Sequence, residues 1–239
     1  MTNLDILIGF ELEINKIDDT LNKPLTSDSL YWLNQAVSKF VKTRFNGNAP
    51  HYTSYEQTEK RTNDLINLYS TVDFDKFTID SSNPSYDSYE VSYKDEKFNQ
   101  KPFMFALNED VIISDNQDNN LMNTCVFECT ADSFMYRVNN SLTDFHYKHN
   151  KARPLRVKTT NGCKLLTDKN YKISKYTLGY LRVPNKISLE EGYDKKEYSE
   201  FPEIVLPEII KIAAQMYIES QIPQQQRYQT INNEVNTQE

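Results

Sequence analysis

Two short stretches carry residue types that could bind a metal ion. TCVFECT places Cys125 and Cys129 four residues apart, and FHYKHN places His146 and His149 three apart. Thiolate and imidazole groups are common zinc ligands, but the short paired spacing of zinc modules is missing. On a strand, a separation of four puts both cysteines on one face with Phe127, as is common for buried structural cysteines. We therefore predict structural cysteines, with no metal and no other cofactor.

Motifs for nucleophilic catalysis or phosphate binding are absent from the sequence. It contains no G-x-S-x-G, G-x-x-x-x-G-K-[ST] or G-x-G-x-x-G motif, and its five glycines are scattered. Acidic pairs such as Glu190 with Glu191 could serve as acid and base, but such pairs in an acidic chain usually lie on a solvated surface. We therefore predict that the protein is not an enzyme.

A basic stretch stands out from the acidic chain. HYKHNKARPLRVK, residues 146–158, contains five Lys and Arg residues, whereas the whole chain has a net charge of −7. Such runs usually mark a solvated loop. The alternative is a local contact with an acidic neighbouring protein or with DNA phosphates, in which Lys151, Arg153 and Arg156 would take part.

The net charge and the cysteine content also limit the classes of protein that fit this sequence. A net charge of −7 argues against general affinity for nucleic acid, since duplex binders present a surplus of Lys and Arg. Three cysteines cannot all pair internally, and the opening residues do not resemble a signal peptide, so we expect reduced thiols and an unprocessed chain. No stretch approaches the roughly 20 apolar residues of a membrane span.

The first 71 residues predict helices. Residues 4–17 fit both a strand and a helix, but Thr2 and Asp5 resemble a capping box and favour the helix. SLYWLNQAVSKFVKTRF shows clear helical spacing behind a cap at Thr26 or Ser27. A third helix is predicted over YEQTEKRTNDLINLYS, residues 55–70.

From residue 72 to about 200 the pattern changes to short aromatic and β-branched runs between turn-forming clusters, which predicts antiparallel strands. PEIIKIAAQMYIES then predicts a helix with Pro207 in its first turn. That helix is apolar over much of its circumference, so it should pack on more than one side.

These segments together predict an α+β fold. Helices of residues 1–71 pack with the helix at 201–222 as a bundle, and an antiparallel β-rich domain at 72–200 is inserted between them. Residues 223–239 are expected to form an extended C-terminal arm.

The order of these segments resembles a known family. The helical TSDSLYWLNQAVSKFVKTRF, the β middle, the run YTLGYLRVPNKISL and the closing PEIVLPEIIKIAAQMYIES followed by RYQ resemble the head-to-tail connector proteins of tailed bacteriophages. The likeness is greatest to the ring protein directly beneath the portal in crAss-like phages.

This resemblance implies a ring of twelve copies that docks under the portal, contacts the next tail ring protein and surrounds the channel through which double-stranded DNA passes without specific binding. The acidic balance fits such a channel, because each Lys or Arg contact would hold the duplex. The resemblance carries no catalytic residue. It implies a virion protein of the head–tail junction, made in the host cytoplasm.

The polar C-terminal segment gains a role in a ring. QQQRYQTINNEVNTQE has few apolar groups, so it cannot offset the entropy of its own ordering when alone. Along a neighbouring subunit or the portal it could order, with Arg227 and Tyr228 as anchors and Ile231 and Val235 in small pockets. The alternative is a frayed terminus with no role.

The sequence thus favours a structural virion protein that works by oligomerisation. Two alternatives stay open. One is another tail-ring or tail-completion protein, and the other is a metal-dependent phage hydrolase.

Overall fold

The computed structural model describes residues 1–17, 24–46, 59–115, 120–148, 151–189 and 195–221. The predicted α+β class is confirmed. Contacts divide the chain into two compact units, which we call the helical unit (Met1–Leu68 with Pro184–Glu239) and the β unit (Tyr69–Val183). The predicted C-terminal arm lies outside the described residues.

Five α-helices occur in these ranges: α1 (Asn3–Ile17), α2 (Thr26–Asn46), α3 (Glu59–Asp64), α4 (Phe134–Asn139) and α5 (Leu206–Gln221). Short 3₁₀ turns lie at Ile66–Leu68, Glu96–Phe98 and Glu203–Val205. The strands of the described chain are β1 (Tyr69–Phe74), β2 (Thr78–Asp80), β3 (Asp87–Ser92), β4 (Phe103–Ser114), β5 (Asn120–Cys125), β6 (Phe127–Cys129), β7 (Leu155–Thr159), β8 (Gly162–Thr167) and β9 (Lys172–Arg182).

A capping box starts α1 and explains why residues that also alternate like a strand form a helix. The Asp5 N–H donates to Thr2 Oγ1 at 3.1 Å, and the Thr2 N–H donates to Asp5 Oδ2 at 2.9 Å. These two bonds satisfy two N–H groups at the helix start. The hydrogen bond from the Thr2 backbone also lowers the pKa of the Asp5 carboxyl. The predicted helix is therefore confirmed together with its cap.

The last helix packs on the first two, as predicted. The Tyr217 ring of α5 makes edge contacts with Phe10 of α1 and Trp32 of α2 at centroid distances of 6.2 and 6.5 Å. A Cβ on Gly9 would lie only 3.0 Å from the Ile210 side chain, so the missing side chain lets α1 and α5 approach closely. The bundle core is thus shared by three helices.

Arg44 of α2 forms ion pairs with carboxylates on two other helices. Its Nε lies 3.0 Å from Asp64 Oδ2 in α3, and its Nη2 donates to both carboxylate oxygens of Glu208 in α5 at 2.6 and 2.7 Å. Such two-point pairing of a guanidinium with a carboxylate fixes geometry as well as adding energy. Arg44 therefore sets the relative position of these helices.

Two sheets make up the β unit. The first has the order β1-β9-β4-β5 and is antiparallel, while the second has the order β2-β3-β8-β7-β6. In the second sheet β6 runs parallel to β7, and the other described pairs of this sheet are antiparallel, as the predicted antiparallel β-rich domain requires. Aromatic residues from both sheets, among them Phe74, Tyr89 and Tyr176, share one core.

The unit boundaries differ from the sequence-based domain limits near residue 184. The insertion was expected to reach 200, whereas Pro184 onward belongs to the helical unit. Asparagine side chains explain this: Asn34 of α2 bonds both the N–H and the C=O of Ile187, at 2.9 and 3.0 Å, and Asn3 of α1 donates to the Ser188 carbonyl at 2.9 Å. The helices thereby satisfy the backbone of a segment that lacks its own secondary structure.

Other elements also depart from prediction. Within the described residues the third helix covers Glu59–Asp64, and Tyr69 and Ser70 instead pair as strand β1 with Leu181 and Tyr180 of β9. Strand β8 and helix α4 were not predicted. For Tyr69 and Ser70, pairing with the distant strand β9 outweighed the helical spacing of the local sequence.

Candidate interaction surfaces

Cys125 and Cys129 do not lie together on one strand face. Cys125 ends β5 in the first sheet and is exposed, whereas Cys129 lies in β6 of the second sheet and is buried. Between them the Val126 N–H donates to the Glu109 carbonyl at 3.1 Å, where the chain leaves one sheet for the other. The prediction that both cysteines share a strand face is therefore wrong. Burial raises the pKa of the third thiol, Cys163, to about 11.

The described histidine of the predicted pair, His146, contacts a backbone carbonyl and a carboxylate. His146 Nε2 lies 3.0 Å from the Val138 carbonyl, and its Nδ1 lies 3.6 Å from Asp168 Oδ2, while His149 lies outside the described residues. Within the described part of the chain, no three His, Cys, Asp or Glu side chains are grouped so that they could hold a metal ion. His146 instead holds the loop that follows α4.

The three predicted basic residues separate into two environments. Lys151 and Arg153 are exposed, and the Arg153 N–H donates to the Asp144 carbonyl at 2.7 Å. Arg156 is buried in β7, with Nε 3.1 Å from Glu109 Oε1 and Nη2 2.8 Å from Glu128 Oε2. Arg156 therefore does not lie on the surface where a partner contact was predicted. At this point β7 is covered on both faces, since neighbouring Leu155 is buried as well, and two carboxylates compensate the charge of Arg156.

The C-terminal candidates Arg227, Tyr228, Ile231 and Val235 lie outside the described residues, so their predicted role stays a prediction.

A surface that the sequence reading missed lies on α1. Ile6, Phe10 and Ile14 are buried in the bundle, but Leu4, Ile8 and Leu12 remain 42, 46 and 62% exposed. Their spacing of four residues puts these three on one stripe of the helix, away from the buried face. We call Leu4, Ile8 and Leu12 the α1 stripe. The signal was present in the sequence, since a helix with two apolar faces predicts contacts on both.

The charges around the α1 stripe are mainly acidic. Asp5 and Glu11 lie three residues before and after Ile8, on opposite sides of the stripe. Lys16 is the basic residue of this helix and pairs with Glu13 at 3.7 Å. The stripe therefore offers an apolar centre with a mainly negative border, in which Lys16 lies one turn after Leu12.

A second exposed apolar surface surrounds α4 and the turn after it. Met135, Tyr136 and Leu142 are 40, 75 and 89% exposed. The turn is held tightly, because Thr143 Oγ1 donates to the carbonyl of Arg137 at 2.8 Å. Large side chains held rigidly in water are typical of contact surfaces.

Basic side chains adjoin this second surface. Lys148 Nζ donates to the Ser141 carbonyl next to Leu142, and Lys148 and Lys151 exchange both backbone hydrogen bonds, at 3.0 and 2.9 Å. Asp144, which bonds Arg153 through its carbonyl, is the acid of this loop. We call the surface of Met135, Tyr136, Leu142, Lys148, Lys151 and Arg153 the basic patch. It carries three cations against one carboxylate.

A comparison with protein families shows which class of protein this chain belongs to. A family described as phage tail ring protein 3/4, from crAss-like phages, matches residues 8–227. The chain belongs to this family of tail ring proteins. The match covers nearly the whole chain, including both units. No curated protein matches the chain.

Family membership confirms the coarser part of the sequence prediction. This tail ring protein is a structural component of the phage virion and assembles with other tail proteins. The family is structural, which supports a role without catalysis. Over the described residues, no helix has the length and apolar composition needed to cross a membrane.

Proposed function

We propose that this tail ring protein assembles with copies of itself into a closed ring of twelve subunits at the head–tail junction, and that the ring joins the portal to the tail around the DNA channel. The observation that carries the proposal is the α1 stripe, three large apolar side chains left in water by a helix whose other face is fully packed. Complete burial of a fully exposed side chain of this size contributes roughly 1.5–3 kcal/mol, and these side chains are about half exposed, so each gains about half of that on association.

A ring of identical subunits requires a particular kind of contact. Each subunit must present two different, complementary surfaces, because head-to-tail contacts close a ring only when one face fits another. The α1 stripe supplies one apolar face with a negative border. The family match supports a ring, and the stripe supports self-association as its mode.

The place of the ring is part of the proposal. The family description carries the numbers 3/4, whereas the sequence resemblance pointed to the ring directly beneath the portal. We propose a ring within the stack between portal and tail, with the portal and the next tail ring protein as its neighbours. The segment with Arg227, Tyr228, Ile231 and Val235 is proposed to order along one of them.

The charge of the chain suits this position. With a net charge of −7, a ring of these subunits surrounds passing DNA without a general attraction for its phosphates. The protein would be made in the host cytoplasm and incorporated into the virion there.

The mass of the purified protein tests the proposal. A ring of twelve 28.0 kDa chains has a mass of about 336 kDa, which mass photometry distinguishes from a single chain. We expect Ile8→Lys to shift the mass to 28.0 kDa, because a charge in the centre of the α1 stripe cannot be buried without a partner.

Ile79→Lys is the matched control. Ile79 is exposed to a similar degree on the edge strand β2 of the β unit and is not part of the α1 stripe, so this variant should keep the mass of the wild type. Electron microscopy of the particle gives the copy number and position directly. A single copy in the tail would contradict the proposal.

A further inference from the structure

Two exposed surfaces of opposite charge match each other in this subunit. We propose that the basic patch of one subunit binds the α1 stripe of the neighbouring subunit, so that this pair of surfaces closes the ring. The inference rests on the proposed function, since it names the two faces of the subunit contact.

Apolar content is the first ground for this pairing. The α1 stripe exposes Leu4, Ile8 and Leu12, and the basic patch exposes Met135, Tyr136 and Leu142. Each surface has three large side chains held on a helix or a tightly bonded turn. Rigid apolar side chains lose little entropy on binding, and tyrosine and methionine are enriched in interface centres.

Charge is the second and independent ground. The basic patch carries Lys148, Lys151 and Arg153, whereas a second copy of the chain has a net charge of −7 and so attracts the patch at long range. The α1 stripe has the acids Asp5 and Glu11 on its two borders. A negative border around an apolar centre is complementary to a positive border around another, and such complementarity selects the partner and its register.

A second copy is a better occupant of the basic patch than DNA. Exposed Leu142 follows Ser141, whose carbonyl accepts a hydrogen bond from Lys148, and duplex DNA offers phosphates but little apolar surface for such a side chain. DNA binding is therefore an outcome of the test that would overturn the inference.

Reciprocal charge reversal tests the pairing on the full chain. The patch variant carries Lys151→Glu with Arg153→Glu, and the stripe variant carries Glu11→Lys with Asn15→Lys. Each variant alone sets like charges against each other at every contact, so we expect assembly to weaken about ten-fold or more. All four positions lie outside the buried core, so folding should be unaffected, which circular dichroism and thermal unfolding check.

Mixing the two variants gives the decisive result. In a one-to-one mixture, the Glu-bearing patch meets the Lys-bearing stripe, and the wild-type patch meets the wild-type stripe. We therefore expect alternating rings of about 336 kDa from two variants that each fail to assemble alone. The matched control, Lys94→Glu with Lys101→Glu, changes the same charge at exposed positions elsewhere in the β unit and should assemble like the wild type.

Other outcomes overturn the inference in distinguishable ways. If the wild type forms rings and neither variant impairs them, the pairing is wrong while the proposed function stands. If both variants fail and the mixture does not recover, each surface has another partner. If the patch variant assembles normally but loses affinity for a short labelled DNA duplex, the patch is a DNA contact. A wild-type chain that stays at 28.0 kDa overturns the pairing. The number of copies counted in the particle by electron microscopy then shows whether the protein forms a ring there.

Discussion

Replacing Arg156 by methionine is expected to lower the free energy of unfolding by about 3–5 kcal/mol, because it leaves a buried carboxylate without its counter-charge. Arg156 lies between Glu109 of β4 and Glu128 of β6, at 3.1 and 2.8 Å, and so connects the first sheet to the second. Methionine has a similar volume, so the loss comes from charge and hydrogen bonding. Urea unfolding monitored by circular dichroism measures it.

The pH dependence of this variant is part of the expectation. Burial raises the pKa of Glu109 above its ordinary value of 4.5, although Arg156 opposes the shift. Loss of Arg156 removes that opposition, so the pKa rises further. A carboxyl with a raised folded-state pKa binds protons more readily in the folded protein, so it favours folding at low pH and disfavours it as the pH rises through that pKa. The destabilisation should therefore be largest at neutral pH and shrink toward pH 4.5.

Two control variants separate charge from packing. Lys158→Met removes an exposed partner of Glu128 at 3.0 Å and should cost less than about 1 kcal/mol. The double variant Arg156→Met with Glu109→Gln leaves no buried charge at this position and should recover most of the lost stability. If the double variant is no more stable than Arg156→Met, the buried-charge explanation is wrong.

Replacing Gly162 by alanine is expected to cost about 3 kcal/mol, because its Cβ would lie 1.9 Å from the backbone oxygen of Val91. Gly162 of β8 pairs with Ser92 of β3, and the two strands could accept a methyl group only by moving apart. That movement would break ladder hydrogen bonds in the middle of the second sheet. Chemical unfolding of the purified variant measures the loss.

Gly179→Ala provides the matched comparison on the first sheet. A Cβ there would meet Asn108 Oδ1 at 1.9 Å and Tyr69 Oη at 2.8 Å, and both are ends of side chains that can rotate away. We expect this variant to cost about 1 kcal/mol or less. Equal losses for the two glycines would show that backbone contact is not what makes Gly162 necessary.

Both destabilising changes bear on the proposed ring. Arg156 and Gly162 lie in β7 and β8, and β7 follows directly after Lys151 and Arg153 in the chain. The sheet therefore provides the rigid base from which the basic patch is presented. A subunit contact that depends on a few exposed side chains needs such a base, since every movement of the patch adds entropy that binding must remove.

The sequence by itself determined the features that depend on neighbours along the chain. Thr2 and Asp5 predicted the start of α1, and apolar spacing predicted α2 and α5. The order of segments also indicated a phage ring protein, which the family match confirms in its coarser form.

Tertiary structure alone decided the features that depend on residues far apart in the chain. Arg156 was expected on a surface, and only the packing of β4 and β6 against β7 shows that its charge is compensated inside. Residues after Pro184 joined the helices because Asn3 and Asn34 bond their backbone. The sequence shows that α1 has two apolar faces, but only the bundle decides that Ile6, Phe10 and Ile14 are covered and the α1 stripe stays exposed. Local spacing fixes which residues share a face, but which of several apolar faces is covered depends on long-range contacts that no short segment encodes.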